Sequence, residues 1–427
     1  MLGNVTSILG MNARNQVFVK QNSAMAKKIA HSKINTKLLL QEKGITTPKI
    51  YQLLDSPSQV EGIDWSVLTE DFVIKPTNGS GGKGVLVIKS QIAPHIWRDS
   101  VGESWSKEQL ELHCLDILEG KYSTHALGNN QLIIEERVPI HPLFLKYTFG
   151  GTPDIRVIVY NSIPVMAMLR LPTKQSGGRA NLHQGALGLG IDLATGVTIH
   201  AITGGGQNIS YVPGTKKKLN GLMVPFWGQV LKTAVEAANA AALAYGGIDL
   251  FVHKEKGPMV VEVNVRPGLS IQLANQQGLK GRLERIKGLN VLSAEHGVKI
   301  AQTLFDSHLR NKVVAADEKV LIKPQLEIMI YDQHKTAQKI MAQVATGRQK
   351  SIIAAETAEQ LGLVNPDDLL WWTKESGGEK APVIAVALNV ARKKITTTLV
   401  VSKTLNRDKI KIKLGRDDLK QFLIEME

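Results

Sequence analysis

The stretch that most constrains this chain is residues 71–85, where a short apolar strand runs into a glycine-rich loop. Residues 72–74 indicate a buried strand that ends in Lys75, and Pro76 interrupts its hydrogen-bond ladder. The loop at 79–84 has four glycines and a second lysine, so its backbone can turn closely around a ligand and direct N–H groups at it. Amide donors flanked by ammonium groups suit a polyphosphate. The alternative is a glycine-rich hairpin with two solvated lysines.

This loop is not a P-loop. That motif requires Ser or Thr directly after its lysine, and Gly84 follows Lys83 here. A second stretch far downstream therefore has to decide between the two interpretations.

The second stretch, residues 246–268, is predicted to form a strand, a turn and a strand. In its second strand the period of two places three valines on one face and three polar residues, Glu262, Asn264 and Arg266, on the other. With Asp249 on the partner strand, Glu262 and Asn264 form an oxygen-only set that suits Mg²⁺ bridging phosphates. An edge strand with a polar outer face is the alternative.

Together the two stretches resemble ATP-grasp enzymes, most closely the RimK-type glutamate ligases and a glutamate-ligase-related branch. The similarity extends from about residue 10 to residue 283 and includes the LGMNARN and RPGLSIQLANQQGL segments. It implies an α+β ATP-grasp fold in which two α+β subdomains grip ATP. It also implies ATP and one or two Mg²⁺ ions, or Mn²⁺ in their place, as cofactors.

The resemblance implies roles for individual residues. The triphosphate would be held by Lys33, Lys75, Ser80, Gly81, Gly82, Lys83 and Gly84, adenine would be read near Glu135, Glu136 and Val138, and the metal would be bound by Asp249, Glu262 and Asn264. Lys37 competes with Lys33, and a surface role for Lys33 is an equal alternative. Glu135 and Glu136 could instead be strand-end charges, so which of them faces the nucleotide stays open.

The acceptor side is predicted around the DIR strand and the NLHQG block. Asp154 and Arg156 share one face of a strand, where they could form a structural ion pair; the resemblance instead places them beside the substrate. We expect Asp154, Asn181, His183 and Gln184 to contact substrate, and Arg156, Arg170 and Arg266 to stabilise charge during catalysis. His183 is assigned to positioning rather than proton transfer. Gln184 stands where the family has arginine, which puts the acidic substrate in doubt.

The composition is that of a globular multidomain enzyme. The chain has 427 residues, 43% of them hydrophobic, and no apolar run as long as a membrane span. Its single cysteine, Cys114, allows no internal disulfide. The net charge of +14 comes without nucleic-acid motifs and with only 5% aromatic residues, so we expect an anionic small partner rather than nucleic acid. These features predict a cytoplasmic protein without a membrane span.

Three segments are expected along the chain: a reduced N-terminal segment (1–70), the ATP-grasp domain (71–315) and an accessory domain (325–427). Residues 23–44 are predicted to form one or two helices, and residues 91–128 are predicted to be helical, with Leu112 among their core residues. Residues 313–319 look like a connector.

In the accessory domain, Thr346 and Gly347 are followed by segments 350–363, 395–401 and 412–419. These segments resemble the turn, short helix and closing strands of a retropepsin-type protease half, a β-rich barrel. The Asp-Thr-Gly turn of that family is replaced by Ala345, Thr346 and Gly347, so we expect a silent domain that binds a peptide or forms a homodimer. A generic β-rich domain is the alternative.

The function implied is an ATP- and Mg²⁺-dependent carboxylate–amine ligase that uses an acylphosphate intermediate. It would add an amino acid such as glutamate to a peptide, protein or small-molecule acceptor. Two other hypotheses remain: a sugar-transfer-associated ATP-grasp protein of cell-surface polymer synthesis, and a nucleotide-dependent binding module without turnover.

Overall fold

A computed structural model describes residues 5–78, 82–123, 130–305, 320–334, 336–365, 369–374, 378–391, 393–419 and 422–425. The chain divides into two compact units, Met1–Lys287 and Gly288–Glu427. Both contain helices and strands, which confirms the predicted α+β class. Ser80, Gly81 and the connector at 313–319 lie outside the described residues.

The first unit begins with three helices, α1 (Met11–Ala13), α2 (Ala24–His31) and α3 (Lys33–Glu42). Serine side chains start the two longer ones, since Ser23 accepts from the N–H of Ala26 and Ser32 from that of Asn35. Gly44 follows α3 with φ of 71°, a conformation that glycine adopts readily. Because Ser32 is the N-cap of α3, Lys33 is the first residue of this helix.

The first sheet is antiparallel and has the strand order β1-β6-β2-β3-β4-β5. Its strands are β1 (Ile50–Leu54), β2 (Phe72–Pro76), β3 (Leu86–Ala93), β4 (Ile96–Asp99), β5 (Ser104–Ser106) and β6 (Leu132–Glu136). Helix α4 (Lys107–Leu118) contacts β2, β5 and β6. Trp65, Phe72 and Trp97 form much of the core beneath it.

The helical prediction for residues 91–128 is wrong for its first half. Strands β3, β4 and β5 occupy this part, and among the described residues of the segment only α4 is helical. Trp97 is fully buried while its neighbours Ile96 and Arg98 are exposed, which is the period of a strand. Leu112, expected in the core, is 61% exposed because it lies on the outer face of α4.

The second sheet of this unit has the order β11-β10-β9-β8-β7-β12-β13. Its strands are β7 (Asp154–Tyr160), β8 (Ile163–Leu171), β9 (Leu187–Ile191), β10 (Thr198–Ile202), β11 (Asn208–Ile209), β12 (Tyr245–His253) and β13 (Gly257–Asn264). Helix α5 (Trp227–Ala240) packs on β12 and β13, and α6 (Ile271–Asn275) and α7 (Leu279–Arg285) follow. The register sets Asp249 opposite both Arg156 and Glu262.

The second unit contains α8 (Ala294–Leu304), which contacts two of the strands in this unit, β18 and β20. Its strands are β14 (Val320–Ile322), β15 (Gln325–Tyr331), β16 (Ala337–Val344), β17 (Ser351–Ala354), β18 (Leu369–Lys374), β19 (Lys380–Val390), β20 (Lys393–Ser402), β21 (Ile412–Leu414) and β22 (Phe422–Ile424). Two short helices, α9 (Ala355–Gln360) and α10 (Arg416–Leu419), complete it.

Six strands of this unit close into a β-barrel. The order is β15-β16-β21-β17-β20-β19, and the pairing of β15 with β19 closes the ring, with β18 added outside β19. The turn at Ala345 follows β16, where Arg348 donates its N–H to the carbonyl of Ala345. The likeness to retropepsins remains a prediction.

Among the described residues, no helix has both the length and the apolar character needed to cross a bilayer.

Candidate active site

A cavity of about 780 Å³ in the first unit has walls from both of its sheets. It brings together most of the predicted site residues: Lys33, Lys75, Gly82, Lys83, Gly84, Glu135, Glu136, Val138, Asp154, Arg156, Arg170, Asn181, His183, Asp249, Glu262 and Asn264. More than half of the chain separates the first of these from the last, so the fold alone assembles them. Of the predicted residues that the structure describes, two do not line it: Arg266, which is exposed beyond the end of β13, and Gln184, which is half-buried.

One wall carries a buried cluster of two lysines around one carboxylate. Glu135 on β6 is 4% exposed, and its Oε1 lies 2.5 Å from Nζ of Lys75 on the neighbouring strand β2. Its Oε2 accepts from Lys37 on α3. Burial would raise the pKa of Glu135, but the ammonium groups of Lys75 and Lys37 outweigh it and hold that pKa below its usual range. The cluster therefore keeps one net positive charge at this wall.

The structure separates the roles of Lys33 and Lys37. Lys33 lines the cavity, whereas Lys37 is turned to Glu135 and does not. Burial, with the charge of Lys75, lowers the pKa of Lys37 to about 8. Burial also lowers the pKa of Lys33, against the opposing attraction of Glu262. Lys33 is thus the lysine of α3 that can reach a ligand in the cavity.

The two glutamates at the end of β6 also make different contacts. Glu135 is turned into the lysine cluster, whereas Glu136 is 2.5 Å from Lys256 Nζ and accepts the N–H of Lys49 at 3.0 Å. Both line the cavity, as does Val138. The adenine contacts predicted for Glu135, Glu136 and Val138 stay predictions.

The opposite wall is an alternating network of two aspartates and two arginines. Asp249 on β12 accepts from Arg156 Nε at 2.7 Å and Nη2 at 2.6 Å, and from Arg170 Nη2 at 2.8 Å. Arg170 on β8 also makes a two-point pair with Asp154 on β7. Asp154 and Arg156 therefore do not pair with one another, although they share a face; each pairs with a neighbouring strand.

The network fixes the charges of its members. Burial raises the pKa of Asp154 to about 6, against the attraction of Arg170 and with the repulsion of Asp249. Burial would raise the pKa of Asp249 too, but Arg156 and Arg170 outweigh it and hold that pKa below its usual range. Burial opposes the charge of Arg170, yet Asp154 and Asp249 raise its pKa overall. Arg170 therefore remains cationic.

Two of the three residues predicted to bind Mg²⁺ are suited to it. Glu262 and Asn264 are half-buried on the cavity wall and provide a carboxylate and a carboxamide oxygen. Asp249 is different, because two guanidinium groups engage its carboxylate and Asn264 Nδ2 donates to it at 3.2 Å. The carboxylate of Asp249 therefore binds the two arginines, and a metal cation at this wall would be bound by Glu262 and Asn264.

A β-bulge shapes this strand pair. The register shifts between Asp249 and Leu250, so that Asp249 faces Glu262 while Leu250 faces Val260. Val261 is skipped by this shift and lines the cavity beside Glu262, although the period of two put it on the opposite face. Val263 and Val265 are buried as expected.

The described part of the glycine-rich loop is close to a residue that the sequence analysis missed. Gly82 and Gly84 have φ of 76° and 73°, which glycine adopts without strain. A Cβ at Gly82 would lie 3.0 Å from Cδ of Arg179, which lines the cavity. Arg179 lies two residues before Asn181, just outside the NLHQG block, and nothing local distinguishes its guanidinium from a solvated one.

Two loops of the cavity wall lie in direct contact. A Cβ at Gly151 would be 1.9 Å from the carbonyl oxygen of Gly178, so only glycine allows this approach. Both glycines line the cavity. The loop after Val138 and the loop before Arg179 are therefore held together at its edge.

The family model described as sugar-transfer associated ATP-grasp matches residues 12–288. The chain belongs to the sugar-transfer associated ATP-grasp family. The match confirms the ATP-grasp superfamily that the sequence predicted. The matching family is the sugar-transfer-associated one that was named as an alternative to the glutamate ligases. The match includes every predicted site residue of this ATP-grasp protein and ends before the barrel.

Curated relatives of this ATP-grasp protein include two described as probable alpha-L-glutamate ligase, from Thioalkalivibrio sulfidiphilus and Photobacterium profundum. Each is 25% identical over 263 residues, which is 61% of this chain. The chain spans 64% of the length of these relatives.

Similar solved structures include D-alanine–D-alanine ligase from Bacillus anthracis complexed with ATP, at 14% identity and a TM-score of 0.35, covering 68% of this chain and 71% of that one. Another is L-amino acid ligase from Bacillus licheniformis, at 14% identity and a TM-score of 0.34, covering 58% and 46%.

Proposed function

We propose that this protein is an ATP- and Mg²⁺-dependent carboxylate–amine ligase. The observation that carries the proposal is the cavity itself, where a lysine wall and a glycine loop face a wall of arginines, Glu262 and Asn264. Cations and backbone donors on one side suit a polyphosphate, and guanidinium groups on the other suit an anion that forms during transfer. Membership of an ATP-grasp family supports the use of ATP.

The reaction would proceed in two steps. The terminal phosphoryl group of ATP passes to a substrate carboxylate, which releases ADP and gives an acylphosphate. An amine then attacks the acyl carbon and expels phosphate. The amine has only to lose a proton, so positioning and charge supply most of the catalysis.

The residues of the cavity have separate tasks in this proposal. Lys75 and Lys33 would hold the phosphates, and Gly82 and Gly84 of the glycine-rich loop line the same cavity. Asp249 takes Nε and Nη2 of Arg156, which orients that guanidinium within the cavity wall. Mg²⁺ on Glu262 and Asn264 would neutralise charge on the transferring phosphoryl group. His183 and Asn181 would position the substrate.

The proposed substrates are an amino acid, such as glutamate, and a peptide or small-molecule acceptor. The support is the 25% identity to proteins described as probable alpha-L-glutamate ligases. Gln184, in place of an arginine, is the reason to test amino acids other than glutamate.

A second candidate is a role in sugar transfer during synthesis of a cell-surface polymer. The description of the matching family supports it. The same cavity would then activate a carboxylate on a sugar-containing acceptor.

The test is a screen for ADP release by the purified protein. Free amino acids, dipeptides, acidic peptides and amino sugars are supplied in pairs, and products are identified by mass spectrometry. ADP release that requires both an acid and an amine would support a ligase. ATP binding without turnover across the panel would contradict it and favour a nucleotide-dependent binding module.

A further inference from the structure

Basic residues are concentrated in one third of the first unit. Between Glu136 and Glu236 the only acidic residues in the sequence are Asp154 and Asp192. The basic residues in the same interval are Arg137, Lys146, Arg156, Arg170, Lys174, Arg179, Lys216, Lys217, Lys218 and Lys232. The net charge of +14, which the composition alone left without a location, therefore has a large contribution from this interval.

Neither acid of the interval is available to its exposed lysines. Asp154 is buried and paired with Arg170. Asp192 is also buried, and its Oδ1 accepts the N–H groups of Ala194 and Thr195 at 2.9 Å. The interval thus has an uncompensated positive surface.

Five exposed lysines of the interval form what we call the basic rim: Lys146, Lys174, Lys216, Lys217 and Lys218. The two loops that carry most of it touch, since Lys217 Nζ donates to the carbonyl of Lys146 at 2.7 Å. Within the described ranges of the first unit, no carboxylate pairs with any of the five.

The basic rim is continuous with the cavity. The loop of Lys146 runs to Phe149, whose N–H donates to the carbonyl of Pro172 at 3.0 Å, and on to Gly151 in the cavity wall. Lys174 begins the loop that reaches Gly178, also in the cavity wall. A chain bound along the rim would therefore lead into the cavity.

Apolar side chains lie among these lysines. Leu145, Phe149 and Tyr211 are 57%, 43% and 52% exposed, and Lys146 Nζ lies 5.3 Å from the ring centre of Tyr147. Lysines act as point charges on flexible stems and do not impose the two-point geometry that arginines offer to phosphates. Exposed apolar side chains among polar groups are typical of surfaces that bind a polypeptide, and ammonium groups beside them can pair with its carboxylates.

We propose that the basic rim binds an acidic peptide chain and directs its end into the cavity as the acceptor. The proposal deepens the ligase function, on which it rests, by naming the acceptor class. The rim would raise the local concentration of a polyanionic acceptor and guide it by long-range attraction.

The experiment measures binding without nucleotide. A fluorescein-labelled peptide of ten glutamates is titrated with the full chain, and its anisotropy is followed at several NaCl concentrations. The rim variant carries Lys146→Ala, Lys216→Ala and Lys218→Ala, and leaves Lys217 to hold the loop. We expect its affinity to fall about tenfold, as three exposed charge contacts predict, with a weaker dependence on salt.

The control variant makes the same charge change elsewhere, with Lys20→Ala, Lys28→Ala and Lys89→Ala, which are exposed lysines away from the cavity wall. It should bind within about twofold of the wild type. A matching peptide of ten glutamines should not bind. Equal losses in both variants, or no saturable binding by the wild type, would overturn the proposal. Tighter binding of a ten-nucleotide oligothymidylate would overturn it too, in favour of nucleic acid.

The two proposals can fail separately. The titration contains no ATP, so peptide binding can persist where no ligase activity exists. The ADP-release screen includes free amino acids, so ligase activity can persist where the rim binds no peptide.

Discussion

At the scale of single residues, Glu135 determines the charge of the cavity wall that carries Lys75 and Lys37. Its carboxylate lies between Lys75 and Lys37, so one lysine is neutralised and the pair keeps a single positive charge. Removing one partner of a buried ion pair is costly, because it leaves a charge without compensation. Replacement of Lys75 still leaves Glu135 paired with Lys37, which makes Lys75 the safer residue to test.

Lys75→Ala should lower ADP formation at least about 100-fold, because a fixed cation next to the phosphates is lost. ADP is measured in a coupled assay, and circular dichroism should show an unchanged fold. Lys89→Ala, an exposed lysine of the neighbouring strand β3, is the matched control and should retain activity. Wild-type turnover by Lys75→Ala would refute the assignment of Lys75 to the ATP phosphates.

Lys37 should make stability depend on pH. Its pKa is 10.5 in an unfolded chain and about 8 in the fold, mainly because it is buried. Between these values the unfolded chain binds a proton that the folded chain has released, so the free energy of unfolding rises with pH. Below pH 8 both states hold the proton, and the cost of burying the charge is fully present.

Urea unfolding of the wild type and of Lys37→Met, followed by tryptophan fluorescence, measures this effect. The wild type should gain stability relative to the variant on the order of 3 kcal/mol between pH 8 and 10.5. Lys28→Met, at an exposed position of α2, should follow the wild type. Parallel curves for the wild type and Lys37→Met would show that the ammonium pays no burial cost.

At the scale of elements, the β12–β13 pair presents its polar side chains to the cavity through one bulge. The bulge sets Asp249 opposite Glu262, while β7 and β8 supply the arginines that engage Asp249. The sequence predicted the polar face of β13 correctly as far as Asn264, since Arg266 lies past the end of the strand. Arg266 is the third polar residue of the predicted alternation, and the period of two applies only within the strand.

Glu262→Gln and Asn264→Asp should both shift the Mg²⁺ dependence of ADP formation. The first removes a negative charge from the wall and should raise the half-saturating Mg²⁺ concentration about tenfold, whereas the second adds a charge and changes the contact to Asp249. Glu284→Gln, an exposed carboxylate of α7, is the control. If the metal titrations of both variants superimpose on the wild type, Glu262 and Asn264 are structural.

At the scale of the whole molecule, the barrel has no carboxylate at the turn that would be catalytic in a retropepsin. Water activation in such proteases needs two carboxylates that share a proton, and Ala345 provides a methyl group instead. We therefore propose that the barrel has no peptidase activity and binds a peptide or a second copy. Incubation of the intact protein with a mixed peptide library should give no cleavage products by mass spectrometry, and cleavage would contradict the proposal.

The division into units predicts where the chain can be cut. A truncation after Lys287 ends with the first unit, so it should bind a fluorescent ATP analogue as the full chain does. A truncation after Lys323 keeps α8 but removes β18 and β20, which α8 contacts, and exposes its buried Val298, Ile300 and Leu304. We expect the longer fragment to aggregate on size-exclusion chromatography. Loss of ATP binding in the shorter one would place part of the site beyond Lys287.

The sequence by itself determined what depends on neighbours along the chain. A lysine at the end of an apolar strand, glycines in a loop, and Glu262 and Asn264 two residues apart each follow from local spacing. The same local rules misassigned residues 91–106, because short strands of mixed composition lack a strong period and are recognised only once Trp97 is seen to be buried.

Only the tertiary structure decided which charges meet. Glu135 joins Lys75 and Lys37, and Asp249 joins Arg156 and Arg170, from strands and a helix that are distant in sequence. Strand order and register set these pairs, and burial then makes each of them obligatory because an unpaired charge in the interior is too costly. Residue types predicted a polyphosphate site with a metal, whereas pairing across strands left Glu262 and Asn264 to line the cavity and committed Asp249 to the arginines.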